Sequence, residues 1–323
     1  MTADVLSDVL RAVRLTGAVY FDFELSSPWV AEAPPSREIA GRVMPGAQRV
    51  IEYHLIARGT GWGHAVGEEP IRLREGDLIV FPQGDAHVLS SAPGMRAAPD
   101  MSAFARPSTP LPLVYELGGG GPERARVVCG FLGCDERPYN PLLTALPTVI
   151  HLAAAGHGPT GWLGTLLNIA VSESGSARAG GENVLARLSE LIFVEAIRRY
   201  LEMLPPAQTG WLAGLRDLVV GQALAALHGG ASEPWTVERL ARVVGLSRSV
   251  LAERFTEMVG QPPMQYLALW RMQLASRLLV EGGQVAAVAG AVGYESEAAF
   301  SRAFKKLVGQ APATWRRGTV LRP

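Results

Sequence analysis

The chain has 323 residues, 48% of them hydrophobic, 19% charged and 7% aromatic, with 30 Lys plus Arg against 30 Asp plus Glu. That length points to two domains, and the apolar fraction with modest charge excludes wholesale disorder. No apolar run reaches the roughly 18–20 residues of a membrane span, and the first fifteen residues (MTADVLSDVLRAVRL) lack the basic start and apolar run of a secretory leader, so a cytoplasmic protein is expected.

Two cysteines, Cys129 and Cys134, are too few for a disulfide scaffold. The basic residues are arginines except Lys305 and Lys306, which reads as codon bias. Zero net charge argues against nucleic-acid binding only if the charge is even along the chain, and it is not. Residues 1–209 hold 17 Arg/Lys and 22 Asp/Glu, a net −5; residues 210–323 hold 13 and 8, a net +5. A local basic excess is what phosphate contact needs.

Along residues 1–135, short β-type runs alternate with Gly/Pro turns: Arg49–Ala57, Leu78–Phe81, Leu113–Leu117 and Arg126–Leu132. This pattern predicts an antiparallel sandwich or barrel. Residues 92–112 read as a long loop, followed by the glycine run Gly118–Gly121. From Pro141 the pattern turns helical. Gly181–Leu204 carries Val184, Leu185, Leu188, Leu191, Ile192, Ala196, Tyr200 and Leu204 at helical spacing, with Arg187, Glu190, Arg198 and Glu202 on the other side. Such a helix either packs on its own barrel or forms a homodimer seam over 183–204.

Pro205–Gly210 (PPAQTG) is the expected linker. Helices are predicted beyond it at Leu212–Leu227, Val237–Val244, Arg248–Val259, Met264–Leu279, Val285–Val292, Glu297–Val308 and Ala313–Arg317. One unit occurs there twice: TVERLARVVGLSRSVLAERFTEMVGQPP (236–263) and QVAAVAGAVGYESEAAFSRAFKKLVGQAP (284–312). In each, a short helix ends at a glycine (Gly245, Gly293), where a left-handed residue is wanted. A serine (Ser247, Ser296) stands where the next helix needs an N-cap oxygen. Both copies end on Val-Gly-Gln-x-Pro. Helix, tight turn, helix is the arrangement whose second helix can enter a major groove.

With WRMQLASRLL (270–279) and VGYESEAAFSRAFKKLVGQAPATWRR (292–317), residues 211–318 resemble the AraC/XylS transcription regulators. The resemblance implies sequence-specific binding to double-stranded DNA and contact with RNA polymerase. In the first recognition helix Val250, Leu251, Phe255 and Met258 form the apolar side, with Arg248, Ser249, Ala252 and Glu253 outward. By resemblance Ser249, Ala252 and Glu253 face bases, as do Glu297, Ala298, Ala299 and Arg302 in the second; Ser301 and Lys305 are also outward there. Arg316 and Arg317 are expected at phosphates or in solvent.

GDLIVFPQGDAH (76–87) has the spacing of the second cupin motif, Gly, five residues, Pro, one, Gly, two, His. Together with CGFLGCDERPYNPLLTALP (129–147), it makes residues 5–205 similar to the cupin-type sensor domain of one AraC-type subfamily. The strand IEYHLIARG (51–59) has a single histidine, so the metal site of enzymatic cupins, with two histidines and a glutamate in that motif, is not complete. That argues against a cupin metalloenzyme fused to a DNA-binding tail.

His54, His87, Cys129 and Cys134 remain as a Cys2His2 set suited to zinc, as a redox thiol pair, or as core residues; His64, His151 and His157 rank below them. Trp29, Tyr53, Trp62 and Phe81 line a small-molecule pocket or belong to the core. The expected architecture is therefore α+β in two domains. Residues 1–205 form a cupin-like antiparallel β-barrel with flanking helices (helical part 141–204), 206–210 a linker, and 211–323 an all-α domain with two helix-turn-helix units. The expected protein is a non-enzymatic regulator sensing a small molecule, metal or oxidant; an effector-independent DNA-binding protein is the alternative.

Overall fold

A computed structural model describes residues 4–104, 111–134, 138–154, 161–176, 178–205 and 207–320. In chain order the first elements are α1 (Val5–Ala12), β1 (Thr16–Ser26), β2 (Val30–Ala33), α2 (Ser36–Val43), β3 (Arg49–Arg58), β4 (Thr60–Ala65), β5 (Ile71–Arg74), β6 (Leu78–Phe81), β7 (His87–Ser90), β8 (Leu113–Gly118) and β9 (Arg124–Cys134). Then come α3 (Pro141–Ala145), β10 (Ile150–Leu152), α4 (Trp162–Ser174), α5 (Gly181–Met203), α6 (Trp211–Arg216), α7 (Leu218–Gly229), α8 (Val237–Val243), α9 (Arg248–Val259), α10 (Pro263–Val280), α11 (Val285–Ala291), α12 (Glu297–Val308) and α13 (Pro312–Val320).

The chain divides into two compact units, and not into the continuous segments expected. The described residues of Leu15–Asp135 and Leu146–Met203 form one; those of Met1–Arg14, Glu136–Ala145 and Leu204–Pro323 form the other. In the expected linker 206–210, residue 206 lies outside the described residues, as do 105–110 of the expected loop and His157.

In the first unit the sheets are ordered β10-β6-β3-β9-β1-β8 and β2-β7-β4-β5. The expected barrel does not close. The six-stranded sheet ends on β8, whose residues from Val114 to Gly118 are exposed. The pairing is also not purely antiparallel: β8 runs parallel to β1, with Phe21 opposite Leu113.

The long strands β1, β3 and β9 carry the core: Val50–Ile56 of β3 and Val127–Cys134 of β9 are buried on both faces. Two glycines make the layers fit. Gly59 (φ +80) turns β3 into β4. At Gly17 a Cβ would run into the Ala186 carbonyl and Ser189 on α5, so glycine lets the helix lie directly on β1. Helix α5 packs through Leu185, Leu188, Ile192, Phe193 and Ala196, which are buried.

The second unit is all helical. The predicted helix 212–227 is interrupted at Asp217, whose carboxylate caps α7 by accepting from the Val219 and Val220 amides. Ser247 caps α9 and Ser296 caps α12. Gly245 and Gly293 have φ +70 and +80, as the two turns demand. Both helices end on left-handed glycines, Gly260 and Gly309. Helix α10 bridges the two helix-turn-helix units and buries Tyr266, Trp270, Met272 and Leu279.

Helix α1 and the stretch after β9 belong to this unit. Gln273, 1% exposed on α10, donates its Nε2 to the Ala12 carbonyl at 3.0 Å and accepts from the Tyr139 amide at 3.1 Å.

Candidate nucleic-acid interface and buried polar cluster

Helices α9 and α12 each bury one apolar stripe and expose the other side. In α9 the buried residues are Leu251 and Phe255. Val250, expected inward, is 48% exposed. The capping serine sets the helix phase, and that phase turns Val250 out beside Ser249 and Glu253. Arg248, Ser249 and Glu253 are exposed, while Ala252 is half-buried. In α12 Phe300 and Phe304 are buried. Glu297, Ala298, Arg302 and Lys305 are exposed, and Ala299 and Ser301 half-buried.

The two helices differ in where their basic groups are spent. Arg248 pairs with Glu238 at 2.9 Å, and Arg254, not singled out from the sequence, pairs with Asp217 at 2.6 Å. Among the described residues Arg302, Lys305 and Lys306 make no ion pair. Arg316 is half-buried and donates to the Gly283 carbonyl at 3.4 Å, so it ties α13 to the turn before α11. Arg317 is exposed.

In the sheet unit Glu52 and His54 share one face of β3, and His54 lies opposite Cys129 of β9. His87 opens β7 and approaches from the other sheet, with His54 Nε2 and His87 Nε2 2.7 Å apart. His87 Nδ1 lies 2.9 Å from the Asp85 carbonyl. A carbonyl only accepts, so His87 carries its proton on Nδ1 and accepts from His54 at Nε2. His54 then presents a bare Nδ1.

That atom and Glu52 Oε1 are buried without hydrogen-bond partners among the described residues. Burial raises the Glu52 carboxyl to about 8 and lowers His87 to about 4. Burial, reinforced by His87, holds His54 well below its ordinary value. The cluster borders a cavity of about 340 Å³ between the two sheets. Trp29 lines it as expected; Tyr53, Trp62 and Phe81 do not. Tyr53 instead hydrogen-bonds Ser189 of α5 at 2.6 Å.

The family profile described as Cupin matches residues 4–202, and that described as Helix-turn-helix domain matches residues 240–318. A protein of Streptomyces lividans described as an AraC-like transcription regulator is 35% identical over 276 residues, 84% of this chain and 88% of that one. One of Streptomyces antibioticus with the same description is 34% identical over 97% of this chain and 98% of its own. The chain belongs to the AraC-type transcription regulators. The HTH-type transcriptional regulator AlkR of Acinetobacter baylyi is also similar, at 30% identity over 97% of this chain and 99% of that one.

For this AraC-type regulator, the buried cluster corrects two expectations. The Cys2His2 set does not form. Cys129 and Cys134 are buried on one extended strand, and five residues at roughly 3.3 Å each set them about 16 Å apart and on opposite faces. The Gly-Phe-Leu-Gly between them continues β9 instead of turning. A disulfide, which needs Cα atoms within about 7 Å, is excluded by the same distance.

The residue overlooked is Glu52. The alternation Glu-x-His on a strand places both side chains on one face, and Glu52, His54 and His87 bring ligand-type atoms within 4.8 Å of one another. In the structure the two Nε2 atoms lie 2.7 Å apart and are hydrogen-bonded to each other. The AraC-type regulator has no described helix long and apolar enough to cross a membrane.

Proposed function

We propose that this AraC-type regulator controls transcription by seating α9 and α12 in adjacent major grooves of double-stranded DNA, with α12 carrying most of the sequence reading. The supporting observation is the repeated, serine-capped helix-turn-helix on one bridging helix, whose second recognition helix presents Arg302 and Lys305 without an ion pair among the described residues. Arg248, Ser249, Ala252, Glu253, Glu297, Ala298 and Ala299 complete the reading surface, and Glu253 suits the amino group of cytosine. RNA polymerase is the downstream partner, and the sheet unit receives the signal.

The test is footprinting on genomic fragments recovered with the full chain. Protection should span two successive major grooves, roughly 34 Å apart. A footprint confined to a few base pairs would remove the two-helix reading.

We also propose that 183–204 forms a homodimer seam. The buried side of α5 faces β1, yet Val184 and Leu191, seven residues apart, are 46% and 47% exposed on its outer side. Exposed apolar residues at heptad spacing suit a partner helix. Leu191→Glu should raise the dimer dissociation constant at least tenfold in sedimentation equilibrium. An unchanged dimer, or a monomeric parent protein, would remove the seam.

A further inference from the structure

We propose that the cavity between the two sheets binds a lipophilic organic cation: an amine or quaternary ammonium group on a compact apolar body, with Glu52 as its counter-charge. The inference rests on the reading of the sheet unit as the signal receiver and names the class of the signal.

Three observations converge on it. First, the wall is aromatic. Phe21, Phe23, Trp29, Phe104, Tyr115 and Phe131 all line the cavity; Phe21 packs edge-on to Phe104 at 5.6 Å and tilted on Tyr115 at 5.9 Å, and Phe23 stacks on Tyr115 at 5.8 Å. A ring face attracts a cation electrostatically, more strongly when water is excluded.

Second, the charges are of one sign. The charged residues of the described lining are Glu32, Glu52, Asp100 and Glu116, with no Lys or Arg. Glu32 is held by Arg96 in a two-pronged pair, which leaves Glu52 as the innermost carboxyl. An anionic ligand would find no Lys or Arg among the described lining residues.

Third, Glu52 is 1% exposed, and its Oε1 has no partner among the described residues. Burial keeps that carboxyl largely protonated in the empty cavity, and a cation that reaches it favours the ionised form, so that Glu52 gives up its proton as the cation binds.

The volume decides between an organic ion and a bare metal. About 340 Å³ is at the small end of ligand pockets, which run roughly 300–1,000 Å³. It suits a body of on the order of fifteen non-hydrogen atoms and far exceeds the needs of one ion.

Three probes with one body and different heads test this on the full chain at pH 7.5 after EDTA treatment: 2-(1-naphthyl)ethylamine, 2-(1-naphthyl)ethanol and 1-naphthylacetate. Calorimetry should show the amine binding at least tenfold tighter than the alcohol, with the acetate not bound. Glu52→Gln should lower the amine to the level of the alcohol and leave the alcohol unchanged. Phe131→Ala should weaken both. Circular dichroism of each variant should match the parent.

Equal binding of amine and alcohol, a preference for the acetate, or no probe bound would overturn the inference. So would one equivalent of added Zn²⁺ that binds, is lost in Glu52→Gln and expels the amine, since Glu52 would then serve a metal. None of these readouts uses DNA. Failure here therefore leaves the regulator reading to stand or fall on its footprint.

Discussion

Arg302→Ala should lower the affinity for recovered genomic sites by about 10–100-fold, matching the roughly 1–3 kcal/mol of a good base contact, while affinity for unrelated duplex changes little. The guanidinium is exposed on α12, two residues from each of the buried Phe300 and Phe304 and therefore on the opposite side of the helix. It has no ion pair to surrender among the described residues, so no partner competes with the base. Helix α12 itself depends on the Ser296 cap and the two phenylalanines, none of which touches Arg302 by its side chain in any described bond. The variant should therefore keep its far-ultraviolet circular dichroism and its melting temperature.

Lys305→Ala gives the contrast. A phosphate contact weakens all sequences alike and lowers the slope of log affinity against log salt by about 1. If Arg302→Ala behaves like Lys305→Ala, with uniform loss and a reduced salt slope, Arg302 is a phosphate anchor and the assignment of sequence reading to it fails.

What was legible in the sequence is what local chemistry decides. Gly245, Gly293, Ser247 and Ser296 specify turn and cap within a few residues, so both helix-turn-helix units and the limits of α9 and α12 could be written down directly. The +5 of residues 210–323 pointed the same way. What depends on distant pairing was not legible. Four residues between two cysteines fit a turn or a strand, and only the pairing of β9 with β1 and β3 makes it a strand. Strand count alone suggested a closed barrel; the parallel pairing of β8 leaves it open.

Val250 was placed inward because it is apolar, but the phase of a capped helix outranks the hydropathy of one residue. The Asp217 break was readable, since aspartate before an apolar run is a cap signal. The docking of α1 into the helical unit had no local signal. Its receptor is Gln273, 261 residues further on.

The docked helix makes a second large effect testable, through pH. His228 of α7 stacks on Trp270 with ring centroids 4.2 Å apart. Trp211 Nε1 donates to the Tyr266 hydroxyl at 2.9 Å, and that hydroxyl lies 2.7 Å from His228 Nε2. With its oxygen accepting from tryptophan, the phenol gives its own proton to His228 Nε2. The imidazole proton then sits on Nδ1, 3.8 Å from Asp8 of α1 and beyond hydrogen-bond reach.

Burial pushes His228 down to about 3. The folded protein thus holds the ring neutral, while the unfolded chain takes up a proton below about 6.5. Between about pH 6.5 and pH 3 the unfolded state binds more protons, so stability falls as pH falls through that window. At pH 4 the cost is about 3 kcal/mol, from 1.36 kcal/mol for each unit below the unfolded value.

His228→Gln keeps a polar group near Tyr266 but cannot titrate. Urea unfolding at pH 7 and pH 4 should show the parent losing about 3 kcal/mol more than this variant, with the excess appearing in the transition of the helical unit. Equal losses would mean that Asp8 closes on the protonated ring and offsets its burial. Asp8→Asn, which removes that carboxylate, should then restore the full loss at pH 4.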